Sequence, residues 1–162
     1  MADDALLNLS AQLGQALKAH AWVLTLAESC TGGWAAQTVT AMPGSSAWFD
    51  RGFVTYSNAS KQELLQVPSA TLEQTGAVSE QTAQAMALGA LRNSHADISG
   101  AITGIAGPDG GSAEKPVGTV CFAWATREGH LASTTHLFAG DRNTIRQQSV
   151  LTLLEGLLGL SL

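Results

Sequence analysis

What lies between the strand-like runs of this sequence constrains its fold most. Residues 22–27 form a short apolar run suited to a buried strand, residues 49–56 alternate, and residues 98–103 read as a third strand. Helical patterns separate these three. One covers about 33–42 and is stopped by Pro43 and Gly44. A short one is opened by the capping-box pattern Ser60-x-x-Glu63, with Asn58 as a competing cap, and another covers 80–94 behind the N-cap Ser79. Strands joined through helices pair in parallel by crossover. Nothing helical separates the third strand from the next, residues 117–126, so that one is predicted to run antiparallel. A turn at Arg127-Glu128-Gly129 then leads into residues 131–138, which return parallel to the first three. A helix over 4–19 places Leu6, Leu9, Leu13 and Leu17 on one face, and a final helix capped by Asp141 places Val150, Leu153, Leu154 and Leu157 together. The expectation is a three-layer α/β/α sandwich with a mixed, mostly parallel five-stranded sheet, in one domain over residues 1–162.

This topology puts the carboxyl ends of strands one, two, three and five on one edge, where open α/β sheets bind ligands. Four segments meet there. They are Glu28-Ser29-Cys30-Thr31-Gly32-Gly33, Tyr56-Ser57-Asn58-Ala59-Ser60-Lys61, the glycine-rich loop 104–115, and Gly140-Asp141-Arg142.

Composition narrows the function. A formal net charge of −5 argues against nucleic acid as the partner, because phosphate backbones need a basic stripe. Cys30 and Cys121 have no metal-type spacing, and His20, His95, His130 and His136 are scattered. The acidic N-terminus lacks the basic flank of a signal peptide, and the apolar stretch 151–162 is too short to span a bilayer. The expected location is the cytoplasm, with no membrane partner. The apolar tail and final helix suggest a homodimer.

Ser29 stands between a strand and a Gly-Gly turn, where its hydroxyl can face a crevice near the backbone N–H groups of the next helix. Either Ser29 or Thr31 can instead cap that helix. Thr31 is the better cap, which leaves Ser29 free. Cys30 is a rival nucleophile, but on an extended chain it points the other way and reads as a packed thiol. No histidine falls in these segments, so activation is expected from Tyr56 and Lys61, which share one strand-to-helix turn. A lysine in a helix's first turn opposes the helix dipole and needs another reason to be there. Using an untuned lysine or tyrosine as a base at neutral pH costs roughly 4 kcal/mol. Burial lowers a lysine's pKa and a neighbouring ammonium lowers a tyrosine's, so the two read as a coupled pair with the base unassigned. Arg142 and Arg146 are four residues apart and share a helical face, Arg142 at the helix start where a phosphate is well placed.

The motifs Glu28-Ser29-Cys30-Thr31-Gly32-Gly33, Tyr56-Ser57-Asn58-x-x-Lys61, Gly76-Ala77-Val78-Ser79, Thr103-Gly104-Ile105-Ala106-Gly107-Pro108-Asp109-Gly110-Gly111, Lys115-Pro116-Val117-Gly118-Thr119-Val120 and Gly140-Asp141-Arg142 occur in this order. The set resembles the nicotinamide-nucleotide amidase family, the C-terminal domain of the competence/damage-inducible protein CinA. The resemblance covers nearly the whole chain and looks like the family's stand-alone form. It implies hydrolysis of nicotinamide mononucleotide to nicotinate mononucleotide and ammonia, in pyridine-nucleotide salvage, by a serine mechanism without metal or cofactor. On matching positions Ser29 is the nucleophile and Tyr56 and Lys61 its activators. Substrate contacts are expected from Thr31, Gly32, Gly33, Asn58, Thr103, Gly104, Ala106 and Gly107, with Arg142 or Arg146 on the 5′-phosphate. Oxyanion donors are expected from the Ser29 turn or from residues 104–107. The rival readings are a nucleotide-binding domain without turnover, an amidohydrolase for another small amide, and an assembly partner in a larger complex.

Overall fold

The computed structural model describes residues 2–162. In chain order the elements are α1 (Ala2–His20), β1 (Leu24–Glu28), α2 (Trp34–Thr40), β2 (Phe49–Val54), α3 (Asn58–Leu65), α4 (Ser69–Thr75), α5 (Glu80–Arg92), β3 (Ile98–Gly104), β4 (Thr119–Thr126), β5 (Leu131–Leu137) and α6 (Arg142–Ser161). A 3₁₀ turn at Ser45–Ala47 leads into β2. The five strands form one sheet in the order β2-β1-β3-β4-β5. β1 pairs in parallel with β2 and β3, whereas β3–β4 and β4–β5 are antiparallel. β5 therefore runs with the first three strands, as the helix-free connection into β4 predicts.

The two faces of the sheet are made of different side chains. Leu24, Leu26, Ile98, Ile102, Val120, Phe122 and Trp124 point to the face covered by α1, α2 and α6. The alternate positions, Ala27, Ala101, Cys121, Ala123 and Ala125, point to the face covered by α5 and α3. Small residues on this second face let α5 come close. The Ser99 hydroxyl donates to the Ala87 carbonyl of α5 at 2.8 Å. On the first face Leu153 fills the space over Gly100, where an added Cβ would lie 2.9 Å from its Cδ1. Burying a leucine of this kind contributes about 1.5–3 kcal/mol. Leu153, Leu154 and Leu157 are fully buried, so the apolar face of the final helix is used within this chain.

Three local expectations change. Ser57, not Ser60 or Asn58, caps α3: its Oγ accepts the Ser60 N–H at 3.0 Å, while the Ser60 hydroxyl donates back to the Ser57 carbonyl. α4 is an additional helix between α3 and α5. It has no side-chain cap and no fully buried residue, so it carries neither the capping signal nor the apolar stripe that marks a helix in sequence. Thr31 does not cap α2, which begins behind Gly33 with no side-chain cap from that residue. Ser79 and Asp141 do cap α5 and α6, accepting from the Thr82 and Thr144 amides.

α3 is seated on α5 through Gly89, where a Cβ would collide with the Leu65 carbonyl oxygen at the end of α3. That obstacle is backbone and cannot rotate away. Replacing Gly89 by Ala is expected to lower stability by about 1–3 kcal/mol, read as a lower urea midpoint at unchanged slope.

Candidate active site

β1 ends at Glu28, and the next residue, Ser29, is tied to the neighbouring strand by its N–H, which donates to the Ile102 carbonyl at 3.0 Å. β2 ends at Val54, and α3 turns back over this edge with Lys61 in its second turn. Lys61 is 1% exposed. Its Nζ lies 3.1 Å from Ser29 Oγ, 2.9 Å from the Thr55 carbonyl and 3.2 Å from the Tyr56 carbonyl. All three partners are uncharged. Burial pulls the Lys61 pKa below its ordinary 10.5. The arrangement serves either protonation state. An ammonium donates to all three oxygens, while a neutral amine donates to the two carbonyls and offers its lone pair to the Ser29 hydroxyl.

Tyr56 takes part differently from the expected coupled pair. Its backbone carbonyl faces Lys61 and Ser29, whose Oγ lies 3.4 Å from it. Its side chain is 61% exposed, and its hydroxyl accepts from Arg142 Nη2 at 3.2 Å. The phenol is therefore at the rim, against a guanidinium.

Glu28 is the residue that sequence reasoning missed, although it opens the motif. Its carboxylate is 1% exposed. Oε1 accepts the Thr31 hydroxyl at 2.6 Å and the Ala35 N–H at 2.8 Å, and Oε2 accepts the Ala36 N–H at 3.0 Å. Glu28 thus fills the role at the start of α2 that Thr31 was expected to fill. The amides at that helix start are occupied and do not face Ser29 as free oxyanion donors. An acidic residue at the end of a strand, with a helix start six residues on, was the available signal.

Ser29, Cys30 and Lys61 line a cleft of about 260 Å³ with Ala77, Val78, Tyr56 and Arg142. Thr103 and Gly104 at the end of β3 line it as well, with Ala106, Gly107 and Asp109 of the loop that follows. Thr103 donates its hydroxyl to the Ala77 carbonyl at 2.7 Å, which pins the segment before α5 to β3. Arg142 crosses the rim, with Nη1 donating to the Gly107 carbonyl at 2.6 Å and Nη2 to Tyr56. Five expected contacts fall outside this wall. Thr31, Gly32 and Gly33 form the turn behind Ser29, Asn58 is exposed as the first residue of α3, and Arg146 points at the turn rather than into the cleft. A larger groove of about 590 Å³ lies beyond Val78. Within it Glu80 accepts from Ser133 and Thr135 and Lys115 donates to the Thr75 carbonyl, and neither Ser29 nor Lys61 lines it.

These observations describe an α/β domain in which a serine and a buried lysine meet in a cleft at the carboxyl edge of a mixed sheet. The model of the CinA C-terminal domain matches residues 6–160, and the chain belongs to that family. It is 56% identical to the nicotinamide-nucleotide amidohydrolase PncC of Enterobacter agglomerans, over 92% of this chain and 91% of that one. The PncC of Pseudomonas putida is 47% identical over 97% of this chain and 98% of its own. The crystal structure of the competence/damage inducible protein CihA from Agrobacterium tumefaciens superposes with a TM-score of 0.95 at 44% identity, covering 98% of this chain and 96% of that one. No helix among the described residues is long and apolar enough to cross a membrane.

Cys30 shares the cleft wall with Ser29, yet it packs into the core formed by Leu26, Ala35 and Ile145. Burial pushes its thiol up to about 11. At pH 8 such a thiol is ionised in about one molecule in a thousand, and the thiolate is the reactive form. Cys121 is also buried and raised. Iodoacetamide at pH 8 should therefore leave both cysteines unmodified in the folded protein and alkylate both after unfolding, read by intact mass.

Proposed function

We propose that this protein hydrolyses the carboxamide of nicotinamide mononucleotide, giving nicotinate mononucleotide and ammonia in pyridine-nucleotide salvage, with Ser29 as nucleophile and Lys61 as its base. The observation that carries the mechanism is the buried 3.1 Å contact between Lys61 Nζ and Ser29 Oγ. The substrate comes from the relatives named nicotinamide-nucleotide amidohydrolase at 56% and 47% identity.

In this reading the neutral Lys61 amine takes the Ser29 proton as Oγ attacks the carboxamide carbon. The Thr55 and Tyr56 carbonyls hold the amine with its lone pair toward Ser29. Lys61 then returns the proton to the departing ammonia, and a water activated by the same amine clears the acyl-enzyme. With the α2 amides taken by Glu28, the oxyanion donors are assigned to the N–H groups of Cys30, beside the nucleophile, and of Ala106 and Gly107 across the cleft. The substrate carries a cationic ring and an anionic phosphate. The cleft offers one group for each, the Asp109 carboxylate and the Arg142 guanidinium. Arg142 can exchange its Tyr56 hydroxyl partner for a phosphate oxygen without losing its hold on Gly107.

Ammonia release from nicotinamide mononucleotide is the first test. Ser29→Ala and Lys61→Met are each expected to lose activity by about a hundredfold or more. An inactive but folded parent would overturn the reading in favour of a binding domain, and a fully active Ser29→Ala would discard the nucleophile. Arg142→Ala is expected to raise KM about 10–100-fold with a smaller change in kcat, as loss of a charge-assisted hydrogen bond predicts.

The pH dependence follows from the direction of the Lys61 shift. Activity needs the neutral amine, so kcat/KM should climb as pH rises, along a limb centred below 10.5. Between the folded and unfolded pKa the unfolded chain binds more protons, so the penalty for burying Lys61 should also fall as pH rises toward 10.5. A limb that survives in a residually active Lys61→Met variant would assign it to another group.

A further inference from the structure

Arg142 and Arg146 are four residues apart on α6 and share a face, so spacing alone offers either one to the phosphate. The structure separates them. Arg142 lines the cleft and Arg146 does not. Arg146 reaches the turn behind the nucleophile, where Nε donates to the Cys30 carbonyl at 3.0 Å and Nη2 to the Thr31 carbonyl at 3.1 Å. Its guanidinium lies 5.5 Å over the Trp34 ring. Two successive carbonyls therefore take the Nε–Nη2 edge, one of the forks with which arginine grips a phosphate.

The same turn is held from its other side by Glu28. Thr31 is gripped twice, with its carbonyl on Arg146 and its hydroxyl on Glu28. Such a hold answers a need created by the sequence. Ser29 is the last residue fixed to β3, by its N–H on Ile102, before the chain enters two glycines with φ of +59° and +104°. Glycines at positive φ give the turn its shape and leave it the largest freedom to lose. The Ser29–Lys61 contact is a hydrogen bond of 3.1 Å, and a shift of about 1 Å in a reacting group can cost a hundredfold in rate.

We infer that Arg146 is a positioning residue: acting through the Cys30 and Thr31 carbonyls, with Glu28 as its counterpart, it sets the Ser29 hydroxyl at Lys61 and does not touch the phosphate of the substrate. The inference rests on the reading of Ser29 and Lys61 given above. It assigns Arg146 an effect on the nucleophile that persists when the reagent has no phosphate.

The test uses Arg146→Met, which keeps an unbranched stem against Trp34 and removes both hydrogen bonds, and Arg146→Lys, which restores one donor. Three quantities are read for each: kcat and KM with nicotinamide mononucleotide, and the rate at which phenylmethanesulfonyl fluoride modifies Ser29. Arg146→Met should lower kcat and the labelling rate together, by about 10–100-fold, with KM within about twofold of the parent. Arg146→Lys should recover part of both rates. A rise in KM with kcat and labelling intact would make Arg146 a substrate ligand and overturn the inference, as would a variant unchanged in every measure. If Arg146→Met does not fold, Arg146→Lys carries the test with the same readouts, intermediate rates supporting the inference and an isolated rise in KM overturning it. A parent that labels at Ser29 but leaves nicotinamide mononucleotide intact would remove the substrate assignment alone, with labelling still deciding the role of Arg146. A parent that neither reacts nor labels would remove the nucleophile and this inference with it.

Discussion

Lys61 is charged in water, and here it is enclosed among uncharged partners at the edge of a sheet. Burying an ammonium without a counter-ion is unfavourable enough that the surroundings must satisfy the group or neutralise it. This structure does the first and favours the second. The Thr55 and Tyr56 carbonyls lie where β2 has ended, so they are free of the ladder and available to Nζ. The Ser57 cap then starts α3 at the position that carries Lys61 back over the end of β1. α3 keeps that place because Gly89 lets it rest on α5, and α5 lies close because the sheet presents alanine, cysteine and serine to it. The small residues of β3 and β4 are thus part of the reason that a lysine meets a serine.

The same enclosure favours Lys61 over the neighbouring tyrosine as the acceptor proposed for the Ser29 proton. Two of the three oxygens around Nζ are carbonyls, which accept and cannot donate. The Ser29 hydroxyl is the only one of the three able to give up a proton. The Tyr56 phenol is held at the rim by Arg142, where solvent and a guanidinium surround it. A side chain that looked like a second base is better understood as part of the cleft mouth, while its backbone does the buried work.

Much of this was legible in the sequence, and the remainder was unreadable for identifiable reasons. The order of helical and strand patterns fixed the mixed sheet, because a missing crossover helix leaves few choices of direction. That Ser29 and Lys61 come together at the carboxyl edge was legible because each follows a strand end there, Ser29 directly and Lys61 in the helix that begins after β2. α4 was not, since its seven residues contain no fully buried side chain to set a period. The placement of the Tyr56 phenol and of Arg146 depends on side-chain direction and on partners far along the chain, whereas Glu28 is held by Thr31, Ala35 and Ala36 close in sequence. Arg146 and Cys30 are 116 residues apart, and no local pattern records that they meet. Spacing showed that the two arginines share a face, but not that a helical turn is enough to send one to the rim and the other beneath it.

That separation gives α6 a role beyond packing. Asp141 caps the helix on the Thr144 amide, and the first turn that follows carries Arg142 to the Gly107 carbonyl and the Tyr56 hydroxyl. One turn later Arg146 holds the carbonyls behind Ser29. Between them Ile145 is buried in the core with Cys30 and Ala106, which belong to the two walls being held. The helix therefore cannot shift along its axis without moving both sides of the cleft, and its C-terminal half is anchored by Leu153, Leu154 and Leu157 in the larger-residue layer. The guanidinium at the rim and the one behind Ser29 are in this way referenced to the same rigid element. Their separation is set by helix geometry and not by loops, so the Gly107 side of the cleft and the turn behind Ser29 are held at a fixed spacing.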